Sequence, residues 1–255
     1  VQSPQPPVHY PPPRRRLTTG KVVWLLVLLL LIGAVLLLAM TGLVPGVSRL
    51  VGATSSRNLG VTATRADFSR VVKDLGYQLN NVPEATDPAR YRKVYSGQVK
   101  VDREITQEEL SALLTFNHVT WWPMQNVQVK VHADGAMEVA LEVLTNNISF
   151  ENAPSSLLRY VPKALPDVVP VYIKGRLDVV GPKQVRLDVD RLELGRIPLP
   201  SGILSAENQQ LATDYVNGRI RGIPGLTIEK IGYQDGKVQF KGTFPKEFKR
   251  LPLTQ

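Results

Sequence analysis

Residues 22–44 read VVWLLVLLLLIGAVLLLAMTGLV, a run with no charged residue. As a helix rising about 1.5 Å per residue it extends roughly 34 Å, enough to cross a bilayer's hydrocarbon core with some tilt. Arg14, Arg15, Arg16 and Lys21 precede it, and the next basic residue is Arg49. That asymmetry predicts a cytoplasmic N-terminus and an extracytoplasmic remainder. Trp24 falls near the basic flank, where an indole favours the membrane interface. A cleaved signal peptide has a shorter apolar region, about 7–15 residues, ending in a small-residue site. Met40-Thr41-Gly42 is a poor cleavage context, which favours an uncleaved anchor. Gly33 lies between Leu29 and Leu37, so the run lacks the small-residue spacing of a helix dimer.

Four regions follow from this frame: a proline-rich basic cytoplasmic tail (1–21), the transmembrane helix (22–44), a linker with a short helix (45–93) and an extracytoplasmic domain (94–255). The tail QSPQPPVHYPPPRRR has too little apolar mass to fold and is expected to be disordered or polyproline-like. PPPRRR fits an SH3-type ligand, an anionic-lipid patch or a segment that only sets topology. The chain carries no cysteine, so it has neither a disulfide framework nor a thiol nucleophile. Of its net charge of +9, the segment beyond residue 44 keeps 27 basic against 22 acidic residues. An ordinary soluble surface and the neighbourhood of an anionic membrane or wall polymer both fit that mild excess. No nucleic-acid partner is expected.

Beyond the linker the pattern is α+β. Thr64 caps a short helix from Arg65 to Leu75, closed by Gly76. Val94 to Val101 alternates as a strand. Thr106 and Glu109 form a capping box for a helix from Gln107 to Phe116 that buries Leu110, Leu113 and Leu114. Three hairpins follow. In the first, Val127, Val129 and Val131 face the same way as Met137, Val139, Leu141 and Val143 across an Asp134-Gly135 turn. In the second, Val171, Ile173, Leu177 and Val179 meet Val185, Leu187 and Val189 across Gly181-Pro182. Its alternation slips near Arg191, the mark of a β-bulge. Ser205 caps a helix to about Arg219 with Leu211, Tyr215 and Val216 on one side. The third hairpin joins Leu226–Tyr233 to Lys237–Phe244 through Asp235-Gly236. A proline-punctuated loop is expected over 154–167. The expected sheet is long, antiparallel and curved, wrapped around or covered by a few helices.

Catalytic patterns are sparse. His132 falls on the polar phase of a strand, as a solvated residue would. His118 lies beside Trp121 and Trp122, and neither histidine has a zinc-ligand spacing. Asp188 and Asp190 share a strand face with Arg186, and a salt-bridge ladder explains them better than calcium binding or glycoside hydrolysis. No cofactor, metal or catalytic residue is expected, and the chain is not read as an enzyme. Trp121-Trp122-Pro123 suits an interface with membrane or sugar, or a plug at the end of the sheet.

The stretch VYIKGRLDVVGPKQVRLDVDRLELGRIPLPSGIL, a following helix and GLTIEKIGYQDGKVQFKGTFP resemble the YpmS-like bacterial family of membrane-anchored extracytoplasmic proteins. More distantly they resemble tubular lipid-binding (TULIP) modules. ITQEELSALL is similar to the helix that opens the module in that pattern. The resemblance covers about residues 94–245 and implies a curved sheet around a helix with an apolar groove for acyl chains. The groove candidates are Val127, Val129, Val131, Met137, Val139, Leu141, Val171, Ile173, Leu177, Val185, Leu187 and Val189, with Trp121 and Trp122 as interface candidates. The expected partner is membrane lipid, with docking onto a larger membrane complex as the alternative and a wall-polymer-binding protein or hydrolase behind both.

Overall fold

The computed structural model describes residues 28–35, 53–76, 78–79, 91–116, 123–147 and 166–252. The tail, most of the 22–44 run, His118, Trp121, Trp122 and most of the 154–167 loop lie outside those residues. Residues 28–35 are helical, with Leu28 to Ile32 exposed. Among the described residues no helix is long and apolar enough to cross a membrane. The chain divides into two compact units, Val1–Leu37 and Leu38–Gln255.

The second unit is α+β. Its elements run α1 (Arg65–Asp74), β1 (Gln78–Leu79), β2 (Tyr91–Ser96), β3 (Val99–Thr106), α2 (Gln107–Thr115), β4 (Met124–Val131) and β5 (Ala136–Leu144). They continue with β6 (Val168–Gly181), β7 (Gln184–Leu194), β8 (Ile197–Pro198), α3 (Ala206–Arg221), β9 (Thr227–Gln234), β10 (Lys237–Phe244) and β11 (Glu247–Pro252). The three hairpins form as expected, and among the described residues every strand pairing but β1 with β11 is antiparallel. They do not merge into one sheet. The strands divide into a five-stranded sheet β4-β5-β6-β7-β8 and two three-stranded sheets, β3-β10-β9 and β1-β11-β2.

The expected strand Val94–Val101 is where one sheet becomes two. Gly97 has φ +65, a left-handed conformation that glycine adopts without a Cβ clash. The chain bends there, so β2 pairs with β11 while β3 pairs with β10. The slip near Arg191 is a bulge: Lys174 pairs with Arg191 but Gly175 pairs with Val189, leaving Asp190 unmatched. A Cβ on Gly175 would come 2.3 Å from the Asp188 carbonyl oxygen, so only glycine permits that approach.

Two sheets share a core. Val127, Val129, Val131 and Leu141 of the large sheet meet Val238 of β10 in one buried cluster. Val185 of β7 meets Val101, Ile105, Ile228 and Phe240 of the smaller sheet, with Val71 of α1 and its C-cap Leu75, in another. Arg103 falls on the inward phase of β3 and is charge-paired there. Its Nη2 donates to Glu109 Oε2 of α2 at 3.0 Å, and its Nη1 lies 3.0 Å from Asp74 Oδ2 of α1. Glu109 is 2 % exposed and also accepts from the Thr106 backbone N–H, completing the expected capping box.

The free edge of β4, and the part of β7 that the two-residue β8 leaves uncovered, would expose unpaired backbone groups, and two helices supply the partners. Along β4, Val127 N–H donates to Thr115 Oγ1 (3.1 Å), Val129 N–H to Ser111 Oγ (2.8 Å) and Val131 N–H to Gln107 Oε1 (3.4 Å). Along β7, Val185 N–H donates to Asn217 Oδ1 (2.8 Å), Leu187 N–H to Thr213 Oγ1 (3.2 Å) and Val189 N–H to Gln209 Oε1 (3.0 Å). Asn217 Nδ2 also donates to the Val185 carbonyl at 2.9 Å. Four helical residues rise about 6.0 Å and two strand residues about 6.6–6.8 Å, so an i, i+4, i+8 stripe meets every second strand residue. Tyr215, expected on the apolar side of α3, is 53 % exposed instead, while Val216 packs with Ile220 against the core beside the polar stripe.

Asn217→Leu strands both Val185 backbone groups in a buried site. It should cost about 2–4 kcal/mol in urea unfolding, against under about 0.5 kcal/mol for Gln210→Leu on the exposed side of the same helix.

Candidate functional site

Between the two core clusters the packing is incomplete and leaves a cavity of about 600 Å³. Phe68 and Val72 of α1 and its C-cap Leu75 reach it, as do Leu110 and Leu113 from α2. The small sheet contributes Ile105, Ile231, Tyr233, Val238, Phe240 and Phe244. Met137 and Leu177 come from the large sheet, and Tyr95 and Phe248 from the third. Ile223, Leu226 and Pro245 complete the wall, with Lys93 as its one charged residue among those described. Four of the chain's six phenylalanines take part. That concentration of rigid aromatic surface is the sequence signal for the cavity: Phe240, Phe244 and Phe248 recur every fourth residue, and only Phe68 comes from a distant part of the chain.

The polar atoms of the lining are few and already engaged. Tyr233 Oη donates to the Leu177 carbonyl. Burial, with the Asp178 charge as a lesser cause, pushes the Tyr233 phenol up to about 12. It therefore stays protonated through neutral pH. What this lining offers a ligand is burial, at about 25 cal/mol per Å² of apolar area removed from water. Its volume falls within the roughly 300–1,000 Å³ of small-molecule sites.

The strand residues expected to line a groove are spread between this cavity and solid core. Met137 and Leu177 line the cavity. Val127, Val129, Val131 and Leu141 are buried in one cluster, with Val139 and Val171 packed against it, and Val185 is buried in the other. Ile173, Leu187 and Val189 are half-buried on the same face of the large sheet. Trp121 and Trp122 lie outside the described residues.

A second constellation, on the opposite face of the large sheet, went unanticipated. Residues 53–61, expected as linker, pack against it, with Ala53 and Val61 buried. Arg57 donates through Nε and Nη2 to both carboxylate oxygens of Glu193, each at 2.9 Å, and its guanidinium sits 4.5 Å from the Tyr172 ring centroid. Glu193 is 0 % exposed and takes a further bond from Arg191. Ser56 N–H donates to Glu142 Oε1 (3.2 Å) and Leu59 N–H to Gln128 Oε1 (2.8 Å). Next to these, Tyr172 Oη donates to Glu138 Oε2 at 2.8 Å, and His132 Nε2 lies 2.8 Å from Glu138 Oε1. His132 is thus a partnered residue, not the solvated one its strand phase suggests.

Burial raises the Glu138 carboxyl, but the hydrogen bonds from Tyr172 and His132 outweigh it and hold the group below the usual carboxylate value. Burial and the Glu138 hydrogen bond push Tyr172 up to about 12. Arg186 Nη2 pairs with Asp178 Oδ2 across the second hairpin at 2.9 Å, and Asp188 sits in register with Arg176. The ladder expected of Asp188 and Asp190 is not what forms: the Arg176 guanidinium pairs with Asp134 Oδ2 (3.4 Å), and Asp190 is the residue that the bulge leaves unmatched.

Comparison with known proteins finds no family model, no curated protein and no solved structure that matches the chain.

Arg57→Ala leaves Glu193 buried with Arg191 alone and should cost about 2–3 kcal/mol. Faster hydrogen exchange over residues 53–61, with the β9–β10 hairpin unchanged, is the expected signature. The two tyrosines set an alkaline limit. The folded state keeps their protons to about pH 12, whereas an unfolded phenol releases its proton near 10.0. Their contribution is therefore present below pH 10 and is lost as pH rises through 12. A stability–pH profile of Tyr233→Phe should show a shallower fall between those values than the wild type.

Proposed function

We propose that the chain is a membrane-anchored, extracytoplasmic lipid-binding module that shields or transfers acyl chains. The cavity carries this reading: a space of about 600 Å³ whose walls are almost wholly apolar. Such a lining favours a ligand recognised by shape and apolar area over one recognised by polar chemistry. The uncharged run at 22–44 and its N-terminal arginines supply the anchor and its orientation, with the tail in the cytoplasm. The sequence resemblance of residues 94–245 to YpmS-like proteins implies the same assignment. The function needs no cofactor and no catalytic residue.

Native mass spectrometry of the full chain released from gentle detergent, with lipid extraction, tests the reading. The expected result is a phospholipid or other acyl lipid at one per chain. A lipid-free mass that takes up no added lipid overturns it and leaves docking onto a larger membrane complex as the better account. Leu113→Trp supplies a second measurement. An indole forced into filled core destabilises by about 1–3 kcal/mol, but in this cavity it has room. The expected outcome is a melting temperature close to wild type with lipid occupancy reduced by half or more.

A further inference from the structure

The large sheet and the sheet β3-β10-β9 border one another along a slit between β6 and β9. β9 is the outer strand of its sheet. Residues 177–181 of β6 run on beyond β5, whose register with β6 ends at Ala136 opposite Arg176. Val185 and Leu187 turn their backbone N–H groups to α3, so their register partners Val179 and Leu177 turn theirs away from β7. Two contacts tie this part of the large sheet to β9. Ile228 N–H donates to the Pro182 carbonyl at 2.7 Å, and Tyr233 Oη donates to the Leu177 carbonyl. Both ties fit one antiparallel register, spaced by the same run of residues on each strand, about 17 Å of chain. Among the described residues no backbone ladder joins the two strands between the ties.

A cleft of about 500 Å³ opens at the slit. Exposed Asp178, Arg186, Glu229 and Lys230 line its outer part. Half-buried Leu177, Ile231 and Tyr233 line it too, and the same three residues line the apolar cavity. We propose that the acyl chain enters and leaves the cavity sideways through this slit, with Tyr233 as its latch. The inference rests on the lipid-binding reading above and adds the route that its ligand takes.

A laddered pair of strands parts only by losing a hydrogen bond at every second residue. The slit has no such ladder, so the wall opens when the Tyr233–Leu177 bond breaks and the ring swings out. That bond is exchanged for one to water, at a modest net cost. The Ile228–Pro182 tie stays made and serves as the hinge. β9 keeps its pairing with β10 throughout, because the motion takes place at its outer edge. The chain then passes from a hydrated, charged mouth to an apolar wall across one layer of side chains.

The test uses the full chain in phosphatidylcholine nanodiscs, mixed with lysophosphatidylcholine that carries a diazirine near the chain end. Light flashes at set delays, then mass spectrometry of β10, give the uptake rate and the half-saturation; a chase with unlabelled lysophosphatidylcholine gives the release rate. Tyr233→Phe should quicken uptake and release alike, each about fivefold, the effect of one lost hydrogen bond. The chain has no cysteine, so Val180→Cys, at an exposed position on the cleft, takes up one bulky maleimide. That adduct should slow both rates about tenfold or more and leave the half-saturation where it was. A second cleft borders the cavity at Tyr95 and Ile223, with Gly218 in its lining. The same adduct on Gly218→Cys should leave both rates unchanged.

Rates unmoved by the Val180 adduct overturn the route while the cavity reading stands. Slowing by the Gly218 adduct overturns it as well and gives the passage to the second cleft. If Tyr233→Phe quickens release alone, or neither rate, Tyr233 is a piece of wall and the latch is overturned. Failure of the lysolipid to label β10 in the wild type removes the lipid-binding reading and the route with it.

Discussion

A β-sheet has to do something with its edges, and the large sheet here uses amide and hydroxyl side chains from helices. Gln107, Ser111 and Thr115 satisfy β4; Gln209, Thr213 and Asn217 satisfy β7. An unmade hydrogen bond at a buried backbone group costs about 1–3 kcal/mol, so six such contacts outweigh what helix propensity could contribute. They also fix where each helix lies and which side it turns inward. With α2 held along one edge, its Leu110 and Leu113 are presented to the interior, and α1 is fastened to it through Arg103 and its two carboxylate partners.

That arrangement explains why a cavity persists in an otherwise close-packed unit. The helices are positioned by polar contacts at the sheet's rim, not by maximal apolar contact over its face. The two sheets meet well at Val127–Val131 with Val238 and at Val185 with Ile228 and Phe240. Between those contacts, side chains from α1, α2 and β10 face one another without closing. Residues 53–61 act on the other face of the sheet, where Arg57 and Glu193 tie down the chain that enters the fold.

Much of the secondary structure was legible from sequence because local chemistry determines it. The Thr64 and Thr106 capping boxes, the Asp134-Gly135 and Asp235-Gly236 turns and the bulge beside Arg191 each sit within a few residues and need no distant partner. What escaped is long-range. Alternation shows that Val127 to Val131 point inward but not whether they meet another side chain or empty space. Phe68 reaches the cavity from α1 and Phe240, Phe244 and Phe248 from the last two strands, more than 170 positions away. Gln209, Thr213 and Asn217 look like ordinary solvated helix residues until β7 is placed beside them. Residues 53–61 look like linker because their anchor, Glu193, lies 136 positions from Arg57.

The helix and strand repeats that mesh so well over three rungs are not equal. Four helical residues fall short of two strand residues by about 0.7 Å, so the error reaches roughly 1.4 Å at the third rung and would pass 2 Å at a fourth. The stripe behaves as a vernier with a short working range, long enough to fasten a helix and too short to extend. Inserting one residue inside either helix would turn the stripe by about 100° and lift several rungs at once. Changes of length in this fold are therefore confined to loops and helix ends, while the seams between helix and sheet keep a fixed count.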